Sequence, residues 1–175
     1  MRSKPPNFAG CRSLPDSIAH ILATAGGLGY ARVAPGTVGS LAGVGLFWWL
    51  GRDFVLGLIT GVVVTGVGIW AATRVEKMTG ERDPSRIVID EVAGQFVALW
   101  LAWSLRPLAG GRFSNAALIF VGIGFLLFRL FDIVKPPPTR RLEKLGEGLG
   151  VVADDVMAAV YAGLALHLIY RWGML

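Results

Sequence analysis

Five apolar stretches, 38–50, 54–72, 87–105, 116–134 and 151–170, take up most of the chain, and no other feature restricts its fold as much. A helix climbs 1.5 Å per residue and a bilayer's hydrocarbon core is about 30 Å thick, so roughly 20 apolar residues cross it. Four stretches approach that length. The first reaches only about 20 Å and is short enough to be re-entrant. Composition agrees, with 54% apolar and 17% charged residues among 175, where soluble proteins carry about 25% charged. The expectation is an all-α, multi-span helical membrane bundle with four to five helices crossing the bilayer.

The length fits one domain. The 24 glycines are spread through apolar stretches rather than gathered in linkers, which excludes disorder, collagen-like repeats and tandem arrays. Residues 1–14 are polar and basic, with Pro5-Pro6 and no long apolar core, so they read as a cytoplasmic N-terminal segment and not as a cleaved signal. Residues 15–175 read as one helical membrane domain. Its first part, 15–25, opens with a proline and an acid as helices do, yet is too short to span, and is expected to be an interfacial or buried helix. Cys11 alone makes neither an internal disulfide nor a cysteine-rich zinc site. The net charge of +5 is carried by residues flanking apolar runs, which fits anionic lipid and not nucleic acid.

Short loops rich in Lys and Arg stay on the cytoplasmic side. With five crossings starting from inside, Arg2, Lys4, Arg12, Arg32, the cations of loop 73–86, and Lys135, Arg140, Arg141 and Lys144 fall inside; Arg52, Arg106, Arg112 and Arg171 fall outside. Trp48, Trp49, Trp100, Trp103 and Trp172 fall at the outer boundary, where indoles sit among headgroups, and Trp70 at the inner one. The second stretch carries Gly57, Gly61, Thr65, Gly68 and Ala72 at helical spacing, a packing stripe. The third repeats it with Glu91, Gly94, Gln95, Ala98 and Ala102, which turns a carboxylate and an amide into the bundle.

On this topology the acids converge. Asp90 and Glu91 lie just inside the cytoplasmic end of the third span, Asp132 at that end of the fourth, and Asp154 and Asp155 open the last. A charged side chain at the centre of a membrane helix costs up to roughly 3 kcal/mol, so five acids at one level need partners. Arg129, one turn from Asp132, is the one cation embedded in a span. A divalent cation is the natural remaining counter-charge, and clustered carboxylates suit Mg²⁺, Ca²⁺ or Mn²⁺ better than zinc. Alternatively, acids near a span's end mark the interface, and Asp154 and Asp155 act as favourable N-terminal charges on the last helix.

The run Ala34-Pro35-Gly36-Thr37-Val38-Gly39-Ser40-Leu41 has the features of an anion cradle, because glycines admit a ligand close to the backbone and free N–H groups at a helix start favour negative charge. Thr37 is equally readable as a simple helix cap. Lys135 precedes three prolines that stop a helix, and either snorkels or meets phosphate. His20 and His167 are isolated; only His20 is near the glycine-rich stretch.

A carboxylate metal site beside an anion cradle, with Arg129 and Lys135 at the same leaflet, points to phosphate chemistry on a lipid headgroup. The chain has no Cys-x5-Arg run and no Asp-x-Asp pair, and two histidines are too few for a histidine-based lipid phosphatase. Four segments in order carry a resemblance: 34–41, Asp90-Glu91-Val92-Ala93-Gly94, Phe128-Arg129-Leu130-Phe131-Asp132-Ile133-Val134-Lys135-Pro136, and Gly148-Leu149-Gly150-Val151-Val152-Ala153-Asp154-Asp155-Val156. With them the chain, from about His20 to its end, resembles the phosphatidylglycerophosphatase A family of bacterial lipid phosphatases. Pro137 and Ala159 depart from that family's usual aromatic and glycine, and both touch packing more than chemistry.

The resemblance implies a bundle of about six helices in the bacterial inner membrane. The activity it implies is Mg²⁺-dependent removal of the terminal phosphate of phosphatidylglycerophosphate to give phosphatidylglycerol, a step of phospholipid biosynthesis. On that expectation Asp90, Glu91, Asp132, Asp154 and Asp155 hold Mg²⁺ directly or through water. Arg129 and Lys135 offset phosphoryl charge, and Gly36, Thr37, Gly39 and Ser40 hold the phosphate. The partners are the lipid substrate and surrounding anionic lipid, and a homo-oligomer stays open. A small transporter using the same acids is the alternative, although the outer halves of the stretches offer almost no polar path. A scaffold for other membrane proteins explains the glycine stripe and leaves the acids without a purpose.

Overall fold

The computed structural model describes residues 13–105, 113–142 and 146–173; Cys11, Arg106, Arg112, Lys144 and almost all of the N-terminal basic segment lie outside them. The described residues form helices and no strand: α1 (Leu14–Ala23), α2 (Pro35–Leu50), α3 (Phe54–Thr79), α4 (Ile89–Leu105), α5 (Asn115–Val134), the four-residue α6 (Thr139–Leu142) and α7 (Glu147–Arg171). Six of them have ten residues or more, as the expected architecture requires.

Among the described residues three helices, α3, α5 and α7, are long and apolar enough to cross a membrane. At 16 and 17 residues, α2 and α4 are shorter, about 24 and 26 Å at the helical rise. The outward faces of α3 and α5 are lipid-like, with Val55, Leu58, Ile59, Val62 and Val63 on one and Leu118, Ile119, Leu126 and Leu130 on the other.

Helix α4 forms the axis and packs against α2, α3, α5 and α7. Its Phe96, Leu99, Ala102 and Trp103 are buried with Phe47, Phe120 and Leu166 in one core. The small-residue stripe of α3 faces that axis: Gly61 lies against Phe96, and Gly68 against Ile89 and Val152. Trp103 departs from the expected headgroup belt. It is buried, its Nε1–H donates to Arg52 O at 3.0 Å, and the Arg52 guanidinium sits 4.3 Å from its ring. Trp49 and Trp172 are exposed as expected of a belt.

Two helix starts differ from the apolar boundaries. Helix α2 begins at Pro35 with Ala34 as its cap in the left-handed region (φ 47°), so Thr37 is an interior residue and not the cap. Helix α7 begins at Glu147, which puts Asp154 and Asp155 two turns inside it and rules out a role as N-terminal charges. Helix α3 runs on to Thr79, past the apolar stretch. Its polar last turns hold because Arg74 Nε meets Asp16 Oδ1 on α1 at 2.7 Å and Glu76 Oε1 accepts from Asp83 N–H at 2.8 Å.

Candidate active site at the start of α4

The backbone leading into α4 is clamped from two sides. Val88 N–H donates to Ala23 O at 2.9 Å, the end of α1. From the other side Gly39 of α2 packs on Val88, where a Cβ would fall 2.9 Å from Val88 O. This fixes Asp90 and Glu91, the next residues, in the first turn of α4. Gly94, one turn on, lets α7 approach: a Cβ there would lie 3.0 Å from Asp155 O and 2.6 Å from the Phe128 ring. The approach delivers Asp155 to the two α4 carboxylates.

Asp90, Glu91 and Asp155 each offer an oxygen within 4.8 Å of the others. Asp90 and Asp155 are buried and Glu91 is nearly so. Asp90 Oδ1, Glu91 Oε2 and Asp155 Oδ2 have no hydrogen-bond partner. Three carboxylates so close and withdrawn from water repel one another when charged, and one oxygen of each is left without a hydrogen bond to offset its burial. Their chemistry, hard anionic oxygens without sulfur or imidazole, fits Mg²⁺, Mn²⁺ or Ca²⁺.

The other two expected acids have cations of their own. Asp132 Oδ2 lies 2.8 Å from Arg129 Nη1, and Asp154 Oδ2 lies 2.6 Å from Lys135 Nζ. The five acids thus divide into a group of three and two ion-paired residues beside it, a division that helix spacing does not reveal. Lys135 caps α5 with φ 47°, a left-handed conformation unusual for a residue with a side chain.

Arg129 is held at two points, since its Nη1 also donates to Ser40 Oγ at 3.3 Å while that hydroxyl donates to Gly36 O at 3.0 Å. Gly36 itself lies over Glu91; a Cβ on it would fall 2.3 Å from Glu91 Oε1 and 3.3 Å from Arg129 Nη1. The start of α2, Arg129 and the α4 carboxylates therefore meet at one spot. The expected row of free N–H groups is narrower than the sequence suggests. Thr37 and Val38 N–H both donate to Ala34 O, at 2.9 and 3.2 Å, and Pro35 has none, so Gly36 supplies the remaining donor. Ser40 serves Arg129, and Gly39 serves packing.

His20 stands apart on α1, bonded through Nε2 to Tyr30 Oη. Burial, followed by the nearby Arg86 cation, lowers its pKa. Asp16 is held below its usual range by hydrogen bonds from Ser13 and then Arg74. His167 Nδ1 is buried without a partner. Gln95, noted in the sequence only as an amide on the packing face, proves to be completely buried with both polar atoms unpartnered. Its place four residues after Glu91 is the signal that marks it.

A family model described as phosphatidylglycerophosphatase A matches residues 21–170 of the chain. A Bacteroides thetaiotaomicron protein, named as a candidate phosphatidylinositol-3-phosphatase, is 36% identical over 164 residues, covering 90% of this chain and 96% of its own. The phosphatidylglycerophosphatase A of Escherichia coli K12 is 31% identical over 157 residues, 87% of this chain and 84% of its own. That of Haemophilus influenzae is 35% identical over 156 residues, 87% and 89%. No solved structure matches the chain significantly.

Proposed function

The chain belongs to the phosphatidylglycerophosphatase A family, and from that premise we propose that it hydrolyses the terminal phosphate of phosphatidylglycerophosphate, with Mg²⁺, to give phosphatidylglycerol for phospholipid synthesis. The reaction takes place at the cytoplasmic leaflet of a bacterial inner membrane. The observation that carries the reading is the group Asp90, Glu91 and Asp155, each with one buried oxygen that lacks a hydrogen-bond partner, with Arg129 fixed beside it.

Asp90, Glu91 and Asp155 hold the cation, and Asp132 and Asp154 stand beside them with their own oxygens toward Arg129 and Lys135. A Mg²⁺ ion bound there would supply positive charge for a phosphoryl oxygen and for the activation of water. The guanidinium of Arg129, oriented by Asp132 and Ser40, faces the phosphoryl group as a fixed donor, which needs no reorganisation as charge develops. Lys135 adds a second cation at the end of α5. The Gly36 N–H and the helix dipole at the start of α2 favour an anion there. A buried carboxylate of the group accepts the proton of the attacking water.

A phosphatase family, and outer halves of the apolar stretches that offer almost no polar residues in sequence, favour hydrolysis over transport. The Bacteroides relative favours one extension, acceptance of other lipid monophosphates. Purified protein in detergent is tested for release of inorganic phosphate from phosphatidylglycerophosphate, phosphatidic acid and phosphatidylinositol 3-phosphate, with Mg²⁺ and with excess chelator. Release from the first substrate that stops with chelator is expected; no release from any of the three would refute the reading.

A further inference from the structure

Gln95 is 0% exposed, and neither its Oε1 nor its Nε2 has a hydrogen-bond partner. A buried primary amide with both ends unsatisfied is an unfavourable occupant of a packed core, where a leucine of similar size has nothing to satisfy. Its neighbours explain its position and leave its polarity unexplained. Gly43 of α2 lies flat on its stem, where a Cβ would come within 2.9 Å of Gln95 Cβ and 3.3 Å of Cγ. Gly36, Gly39 and Gly43 thus form one edge of α2 that follows Glu91 and then Gln95 down α4.

Helix geometry supplies the direction. Residues four apart share a face, and Cα–Cβ bonds lean toward the helix N-terminus. The Gln95 side chain therefore leans toward the turn bearing Asp90 and Glu91, where Glu91 Oε2 is also unpartnered. An amide carbonyl is a hard, neutral oxygen donor of the kind that joins carboxylates around Mg²⁺ or Mn²⁺ or orients a water there.

We propose that Gln95 is a positioning residue of the carboxylate site, its buried amide supplying a neutral polar partner, one turn deeper than Glu91, to the group that would hold the cation. This rests on the reading of Asp90, Glu91 and Asp155 as the cation site. It adds a fourth residue, one turn deeper, and gives the buried amide its missing partner.

The test uses the full-length protein in detergent and Mn²⁺ alone as probe, with binding followed by Mn²⁺ electron paramagnetic resonance and by the Mn²⁺-induced rise in Tm. Gln95→Leu is expected to fold with an unchanged or higher Tm in chelator, because it removes an unsatisfied amide. Its affinity for Mn²⁺ should fall about 10-fold or more, as happens when outer partners of metal ligands are lost. Gln95→Glu, which keeps an oxygen donor, should retain Mn²⁺ binding and serves if the leucine variant does not fold. Wild-type Mn²⁺ affinity in Gln95→Leu, or loss of Mn²⁺ binding in a folded Gln95→Glu, overturns the role of Gln95 while leaving the carboxylate site standing. Failure of the wild-type protein to bind Mn²⁺ overturns both.

Discussion

Gly36 on α2 lies so close to Glu91 on α4 that a Cβ built on it would fall 2.3 Å from Glu91 Oε1. The missing side chain at 36 is what lets the start of one helix rest on a carboxylate of another. The obstructing atom is the tip of a flexible side chain, so Gly36→Ala should fold with a Tm within a few degrees of wild type. The carboxylate must move aside, and phosphate release should fall about 10-fold or more, since displacements near 1 Å already cost large factors. Gly45, with open space around it, is the control: Gly45→Ala should keep full activity. Equal activity in both variants would contradict the account.

Arg129 owes its aim to two residues on two helices, Asp132 one turn along α5 and Ser40 on α2. Asp132→Asn removes the charge and keeps the shape. Turnover should fall at least about 100-fold, the size of effect seen when a fixed donor to a developing oxyanion is lost, while the protein stays folded in detergent. Ser40→Ala removes the weaker contact and should cost less. Near-normal turnover in Asp132→Asn would remove Arg129 and Asp132 from the site.

Acid sensitivity should trace to α1. Burial and then Arg86 lower the pKa of His20 in the fold from its usual value of 6.5. The unfolded chain therefore takes up this proton first as pH falls, and the stability His20 contributes is complete above about 6.5 and is lost toward the lowered folded value. Asp16 acts the same way in a more acidic window, its stabilisation present above the usual carboxylate range and lost as pH falls through its depressed value. Tm measured from pH 7.5 to 5.5 should decline in wild type and decline less in His20→Gln; identical slopes would count against the assignment.

The helices were legible because apolar length is a direct readout of burial in lipid or core: α5, expected over 116–134, spans Asn115–Val134. The boundaries that differ are those set by polar contacts between distant segments. Helix α3 continues through Arg74 and Glu76 because α1 supplies Asp16 and the following loop supplies the Asp83 N–H, partners that no hydropathy window registers. Trp103 read as an interfacial indole until Arg52, far away in sequence, proved to accept its N–H. In the candidate site the gathering of the acids at one end of the bundle was readable from position along each helix. Which acids are paired internally depends on the α4–α7 approach at Gly94 and on the left-handed turn at Lys135, and neither leaves a mark in spacing. Gln95 was visible as a polar residue on a packing face, but its lack of partners appears only when all its neighbours are known.

The proposed placing of Asp90, Glu91 and Asp155 together for catalysis, at the expense of stability, is checked by their single amide variants. Each variant is measured twice, for phosphate release from phosphatidylglycerophosphate with Mg²⁺ and for Tm in excess chelator. Replacing one carboxylate relieves repulsion among three withdrawn charges. Asp90→Asn, Glu91→Gln and Asp155→Asn are each expected to lose about 100-fold or more in activity while Tm in chelator holds or rises. Variants that keep wild-type activity, or that lose it only together with their fold, would contradict it.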